Sequence, residues 1–282
     1  MIRWRSMSAR IALVLSIAAP ALAQRTDSTA DATSAVFTRG DAVAGAAIAA
    51  ATVAIHPLDE RIARSLQRPA LQSNANLQRT AKAFRLLGSP GVLIISGTFY
   101  VAGRATHSRG LAATGLHSAE AIFLGEVAGG LLKWTTGRAR PFAVGDTLPS
   151  DFEFLRGVRR GYAYSSFPSG HTIAGFAAAA AITREASRSW PHSGWLIGPV
   201  LYGSAGMVGL SRMFNDQHWA SDVLMGAGIG TFAGLKVVQY AHDHPRNRVD
   251  RWLLSVTITP SPDAGHRLAF SLLPISLDPM RR

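Results

Sequence analysis

The sequence contains no cysteine. That excludes disulfides, thiolate metal sites and a cysteine nucleophile, and it is compatible with an oxidising compartment. Charge is scarce too: 16% of residues are Asp, Glu, Lys or Arg, against about 25% in ordinary globular domains. Long apolar runs are missing where a bilayer would need them. The apolar stretches 41–55 and 90–103 fall short of the ~20 residues of a spanning helix, and Glu120 and Glu126 interrupt a third stretch. No cluster of carboxylates suited to Mg²⁺ is present in the motifs, so no metal or other cofactor is expected.

What the chain has is small and apolar residues: 48% of positions are hydrophobic and 27 are glycine, a composition for closely packed helices. The formal charge of +12 is spread along the sequence. No recognition helix or basic–aromatic strand accompanies it, so nucleic acid is not the expected partner. An anionic substrate or an anionic membrane surface suits it better.

Residues 1–23 read as a signal peptide. Arg3, Arg5 and Arg10 precede an apolar run from Ile11 to Ala19, and Ala21-Leu22-Ala23 forms a small-residue cleavage site. An uncleaved anchor is the alternative; Pro20 and the short run favour cleavage. Residues 24–40 are a polar flexible leader. Residues 41–245 form a helical domain. Its apolar stretches, 41–55, 90–103, 111–134, 171–186, 195–213 and 219–240, are separated by a polar segment at 56–85 and a loop at 142–166. Gly226, Gly230 and Gly234, four apart, give one helix a smooth face for close packing. In the extension 246–282, apolar and polar residues alternate at 254–259 and 267–272 around a turn-forming cluster, which predicts a short β-hairpin.

The reactive side chains fall in three stretches at helix ends. The first is Lys133-Trp-Thr-Thr-Gly-Arg-Ala-Arg140-Pro141. The second is Phe167-Pro168-Ser169-Gly170-His171-Thr172, where Ser169 suits an N-cap and Gly170 permits close backbone approach. A helix start offers unpaired N–H groups to an oxyanion, with His171 in the first turn as a proton donor. The third, Ser211 to Asp222, contains Arg212, His218 and Asp222. His218 and Asp222 are four apart, so the carboxylate can fix the tautomer of the ring and leave its other nitrogen as a basic lone pair. Lys133, Arg140 and Arg212 supply cations for phosphoryl oxygens. Each stretch alone is more ordinary than catalytic; together they are what phosphoryl transfer needs.

In order and spacing, the three stretches resemble the signature of the type 2 phosphatidic acid phosphatase superfamily, which also holds bacterial class A acid phosphatases and vanadium haloperoxidases. That signature is Lys, six residues, Arg-Pro; Pro-Ser-Gly-His; and Ser-Arg, five residues, His, three residues, Asp. Every position is matched here. The resemblance implies an all-α fold of the phosphatase/haloperoxidase six-helix type. It implies that His218 attacks phosphorus to give a phosphohistidine, that Asp222 orients it, and that His171 protonates the leaving alkoxide and later activates water. Lys133, Arg140, Ser169, Gly170 and Arg212 would hold the phosphoryl oxygens, without a metal.

The expected activity is hydrolysis of a phosphorylated lipid, a lipid pyrophosphate or a small phosphate ester. The alternative is a haloperoxidase holding vanadate in the same pocket; a non-catalytic phosphate binder would not need two histidines and an orienting aspartate. Membrane association is expected, with the protein exported to the cell membrane or periplasm and its site facing away from the cytoplasm. The basic segment 61–85 instead fits a cytoplasmic loop by the positive-inside rule. Two arrangements stay open: an uncleaved anchor with one non-crossing stretch, or a periplasmic domain resting on the membrane. Arg156, Arg159 and Arg160 are expected near the mouth of the site as specificity determinants. Oligomeric state is not legible.

Overall fold

The computed structural model describes residues 36–255. The expected signal peptide, most of the leader and the bulk of the hairpin lie outside the described residues. Among the described residues every regular element is helical. The extension opens with a short helix, Arg248–Leu253, followed by a turn at Leu254 and Ser255.

The helices are α1 (Arg39–Ile55), α2 (Asp59–Leu66), α3 (Pro69–Gln72), α4 (Ala75–Leu86), α5 (Val92–Ala105), α6 (Arg109–Thr136), α7 (Arg156–Arg160), α8 (Gly170–Ser189), α9 (Gly194–Phe214), α10 (Ala220–Asp243) and α11 (Arg248–Leu253). Short polar side chains set several of their starts. Thr38 and Asp41 form a reciprocal capping box on α1, Asn74 caps α4, and Ser108 accepts from the Leu111 N–H at the start of α6. α6 ends at Gly137 in the left-handed region (φ 51°), where an added Cβ would lie 2.2 Å from the Glu153 carbonyl. Only glycine fits there.

The six apolar stretches are all helical, but the bundle does not reduce to six. The polar segment 56–85, expected as a connection, folds as α2, α3 and α4. Ile62 and Leu66 face inward and pack on Met213, Ala220 and Val223, while Leu58 and Leu77 stay exposed.

α8 is the central helix, with Ala177–Ala181 almost fully buried and α6, α9 and α10 packed around it. Glycine makes the closest crossing possible. An added Cβ on Gly226, Gly230 or Gly234 of α10 would sit 2.7, 2.3 or 2.6 Å from the carbonyls of Ser169, Ile173 and Ala177, themselves four apart on α8. Gly230→Ala must therefore push the two helices apart, an overpacking cost of about 1–3 kcal/mol. This contact holds the first turns of α8 and α10 together, and the site lies between them.

The stretches 41–55 and 90–103, too short in the sequence for a bilayer, are parts of longer helical runs, Arg39–Leu66 (28 residues) and Ala75–Ala105 (31 residues). With Ala220–Asp243 they make three helices, among the described residues, that are long and apolar enough to cross a membrane. Val43, Val53, Leu93, Ile94 and Val101 on the first two are exposed, as expected where lipid rather than protein is the neighbour.

Candidate active site

One cavity of about 280 Å³ is lined by Lys133 and Glu126 of α6, Arg140 just beyond it, Gly170 and His171 at the start of α8, Arg212 near the end of α9, and His218 in the α9–α10 connection. Six of the eight residues singled out from the sequence thus share one wall-to-wall space, with His171 and His218 both facing it. Ser169 and Asp222 stand behind the lining, both fully buried.

His218 is 3% exposed and its two ring nitrogens have different neighbours. Nε2 lies 3.3 Å from the Arg140 guanidinium, which can only donate. The lone pair is therefore on Nε2 and the proton on Nδ1, which faces Asp222 Oδ2 at 3.5 Å. That separation is longer than the hydrogen bond expected from the sequence, and Nδ1 makes none. Burial drives the His218 pKa down to about 3, with Arg140 and Lys133 adding to it against the pull of Asp222. His171 falls to about 4, through burial and then the charges of Arg212, Lys133, Arg85 and Arg140. Both rings are neutral at pH 7 before a ligand arrives.

Asp222 is held by more than its histidine. Oδ2 accepts from Ser166 Oγ (2.5 Å) and from the Trp219 N–H (2.9 Å), while Oδ1 accepts a short hydrogen bond from Arg138. Arg138 in turn donates to Asp59 Oδ2 (2.7 Å), Ser221 Oγ (2.8 Å) and the Pro149 carbonyl (2.7 Å). Asp59, from the start of α2, also accepts from the Ser221 N–H (2.9 Å) and meets His56 Nδ1 (3.0 Å). A fully buried chain, Asp59–Arg138–Asp222, thus runs behind His218 and fixes the first turn of α10. Sequence reasoning missed Arg138 and Asp59. The available signal was the second arginine in Gly-Arg-Ala-Arg, but its partners lie 79 and 84 positions away.

The cations are not equivalent. Arg140 donates to the carbonyls of Tyr162 (2.8 Å), Gln217 (2.9 Å) and Ser165 (3.1 Å) and stacks on Tyr162, so it is pinned in place. The buried Nε of Arg212 has no hydrogen-bond partner. Lys133 is half-buried; its burial lowers its pKa, against the opposing charge of Glu126. Gly170 makes room for both: a Cβ there would lie 3.0–3.1 Å from the Glu126 carboxylate and 3.1 Å from Lys133 Nζ. Ser169 occupies the N-cap position of α8, but its side chain does not cap. Its hydroxyl accepts instead from Thr172 (2.8 Å), and its N–H bonds to the Asp222 carbonyl (3.0 Å). The first-turn N–H groups are consequently left to a ligand.

The mouth differs from expectation. The Arg156 guanidinium is buried on the carbonyls of Gly137 and Asp151 and on the Asp151 carboxylate, and Arg159 pairs with Glu153. These residues brace the 142–166 loop. A second, more open cavity of about 510 Å³ shares Tyr162 and Arg212 with the first and is lined by Arg79, Lys82 and Arg85 of α4. The basic segment therefore flanks the site. Its charge fits an anion vestibule as well as a cytoplasmic loop, so the positive-inside argument no longer decides orientation.

Residues 114–246 match the PAP2 superfamily, a stretch that includes all eight residues singled out and Arg138, but not Asp59 or the α4 cations. A lipid A 1-phosphatase of Porphyromonas gingivalis is 45% identical over 75 residues, 26% of this chain and 16% of that protein. The match thus spans about a sixth of the relative's length. The crystal structure of a transmembrane PAP2-type phosphatidylglycerolphosphate phosphatase from Bacillus subtilis aligns over 73% of this chain and 97% of its own, with a TM-score of 0.51 and 20% identity. That similarity is one of fold.

Proposed function

Since residues 114–246 are a PAP2 superfamily segment, we propose that the protein is a phosphatase that hydrolyses the phosphate ester of a lipid. The observation that carries this is the cavity itself. Two neutral histidines, three cations and an uncapped helix start enclose one space with room for a phosphoryl group and part of its alcohol, and a buried Arg212 Nε has no partner until an anion supplies one.

In the proposed reaction the phosphoryl group sits among Lys133, Arg140, Arg212 and the α8 N–H groups. The Nε2 lone pair of His218 attacks phosphorus as the P–O bond to the alcohol breaks. His171 gives its proton to the departing oxygen. A phosphate dianion offsets the cations that depress His171, so ligand binding itself raises that ring toward protonation. Water then attacks phosphorus as the P–N bond breaks, His171 takes the water's proton, and inorganic phosphate leaves with the His218 lone pair restored. The Nδ1–H tautomer, facing a carboxylate locked by Arg138, keeps Nε2 available and disperses the charge that develops on the ring. No step calls for a metal.

A lipid substrate is supported by the activity named for the relative above and by Leu93, Ile122 and Ala174 on the cavity wall. The three membrane-length helices also favour it. The α4 vestibule suits a second anionic group, such as another phosphate on the headgroup. We place the site on the face away from the cytoplasm, in line with the export signal expected from residues 1–23.

The test is phosphate release from a lipid phosphate in mixed micelles, in EDTA, with a soluble aryl phosphate as comparison. Expected are hydrolysis, inhibition by vanadate, and loss in His218→Ala. Halide oxidation by vanadate-loaded protein without phosphate release would instead establish the haloperoxidase chemistry.

A further inference from the structure

At the end of the bundle remote from the cavity, three helices bring together side chains that phosphoryl transfer does not use. His117 comes from the third turn of α6, Glu185 from the last turns of α8, and His242 from the end of α10; Asp250 of α11 and Glu120 adjoin them. His242 lies 20 residues beyond Asp222 on α10, about 30 Å along the axis.

His117 Nδ1 is 2.6 Å from Glu185 Oε1, and His242 Nε2 is 2.9 and 3.2 Å from the two oxygens of the same carboxylate. The three candidate ligand atoms all lie within 4.8 Å of one another. The rings meet edge to face with centroids 6.0 Å apart, as two imidazoles directed at one point do. His117 and Glu185 are buried, while the His242 side chain is 36% exposed and gives the cluster a route to solvent.

The ring of His117 has a carboxylate against each nitrogen, with Nε2 3.3 Å from Asp250 Oδ2. A neutral imidazole carries one N–H, so one of these contacts sets a lone pair against a carboxylate. A cation held by Nδ1 resolves the conflict. The lone pair goes to the cation, and the Nε2–H goes to Asp250, the arrangement by which a carboxylate behind a histidine orients it on a metal. Two imidazole nitrogens and a carboxylate suit a Zn²⁺-type ion rather than Ca²⁺ or Mg²⁺, which prefer all-oxygen sites. Bond lengths near 2.0–2.1 Å set the ligand atoms roughly 3.3 Å apart, so the His117–Glu185 contact of 2.6 Å opens by about 0.7 Å and the His242–Glu185 contact of 2.9 Å by less, changes that side-chain rotation supplies.

We propose that His117, Glu185 and His242 form a Zn²⁺ site that clamps α6, α8 and α10 at the end opposite the phosphate cavity, with Asp250 orienting His117. The ion is structural, and turnover does not pass through it.

The full-length protein in detergent is stripped with a chelator, dialysed and titrated with Zn²⁺, and bound metal is measured by elemental analysis beside the melting temperature. His218→Ala serves as the background, so that the cavity histidines do not contribute. One Zn²⁺ per chain and a rise in Tm of several degrees are expected. Both are lost in His242→Ala and in Glu185→Gln, and His242→Ala made in the otherwise native chain keeps its rate on the soluble ester. Zinc retained by both variants overturns the proposal. So does a protein that binds none and melts alike with and without it, which would mean that His117 is simply an imidazolium between two carboxylates. Neither result touches the phosphatase reading, because the readout is metal content.

Discussion

Replacing Arg138 by methionine removes a charge while roughly keeping its volume. In the native protein this guanidinium, 1% exposed, lies between Asp59 and Asp222, both fully buried. Removing one partner of a buried ion pair costs about 3–5 kcal/mol, because the other charge is left unpaired; here two are left, so the upper part of that range applies. For a chain of this size the loss is a fall in Tm on the order of 10 °C. Turnover falls as well. Asp222 keeps Ser166 and the Trp219 N–H, but the cation that holds its charge is gone, and a partner of this kind is worth on the order of 10–100-fold in rate. The assay is thermal melting in detergent together with initial rates on a lipid phosphate. Adding Asp59→Asn to Arg138→Met removes one of the stranded charges, so it recovers part of the stability and little of the rate. An Arg138→Met protein that melts and turns over like the parent would refute the reasoning that Arg138 holds Asp222 in place.

Three further outcomes are expected. Arg212→Ala removes a cation whose Nε has no internal partner, so the folded protein loses at least on the order of 100-fold in kcat/KM while its Tm holds or rises; a large fall in Tm with catalysis retained would contradict this. Lys82→Ala with Arg85→Ala clears part of the vestibule, raising KM for a lipid with two phosphates more than for an aryl phosphate, and the difference shrinks at high salt. Buried His218 and half-buried His171, held at about 3 and about 4, bind protons less readily than the unfolded chain does. Their contribution to stability is therefore complete above about pH 6.5 and is lost as pH falls toward those values, on the order of 2 kcal/mol each by pH 4.5. The double alanine variant should lose less Tm than the parent between pH 7 and pH 4.5, and an equal loss would show that these rings do not titrate as described.

The motif side chains were legible because each motif is local: Lys133 to Arg140, Ser169 to His171, and Arg212 to Asp222 are each no longer than about three helical turns. The helical class followed from composition, and the Gly226–Gly230–Gly234 face from its spacing. The polar stretch 56–85 was not legible as helix, because its apolar residues are few and their partners, such as Met213 and Val223, lie far along the chain. The same separation hid Asp59 behind Arg138 and scattered His117, Glu185 and His242. Arg156 was misplaced at the mouth because sequence shows charge but not direction. The left-handed turn at Gly137 buries that guanidinium against the loop, and α4 takes its place over the site.

The central claim, that His218 carries the phosphoryl group, is tested most directly by rapid quench. The protein is mixed with lipid phosphate labelled on phosphorus and stopped in alkali, and label on the chain is mapped to a residue. The expected adduct sits on His218, survives alkali, is lost in acid, and is absent from His218→Ala. Steady turnover with no such adduct on the time scale of the reaction, or hydrolysis undiminished in His218→Ala, would contradict it.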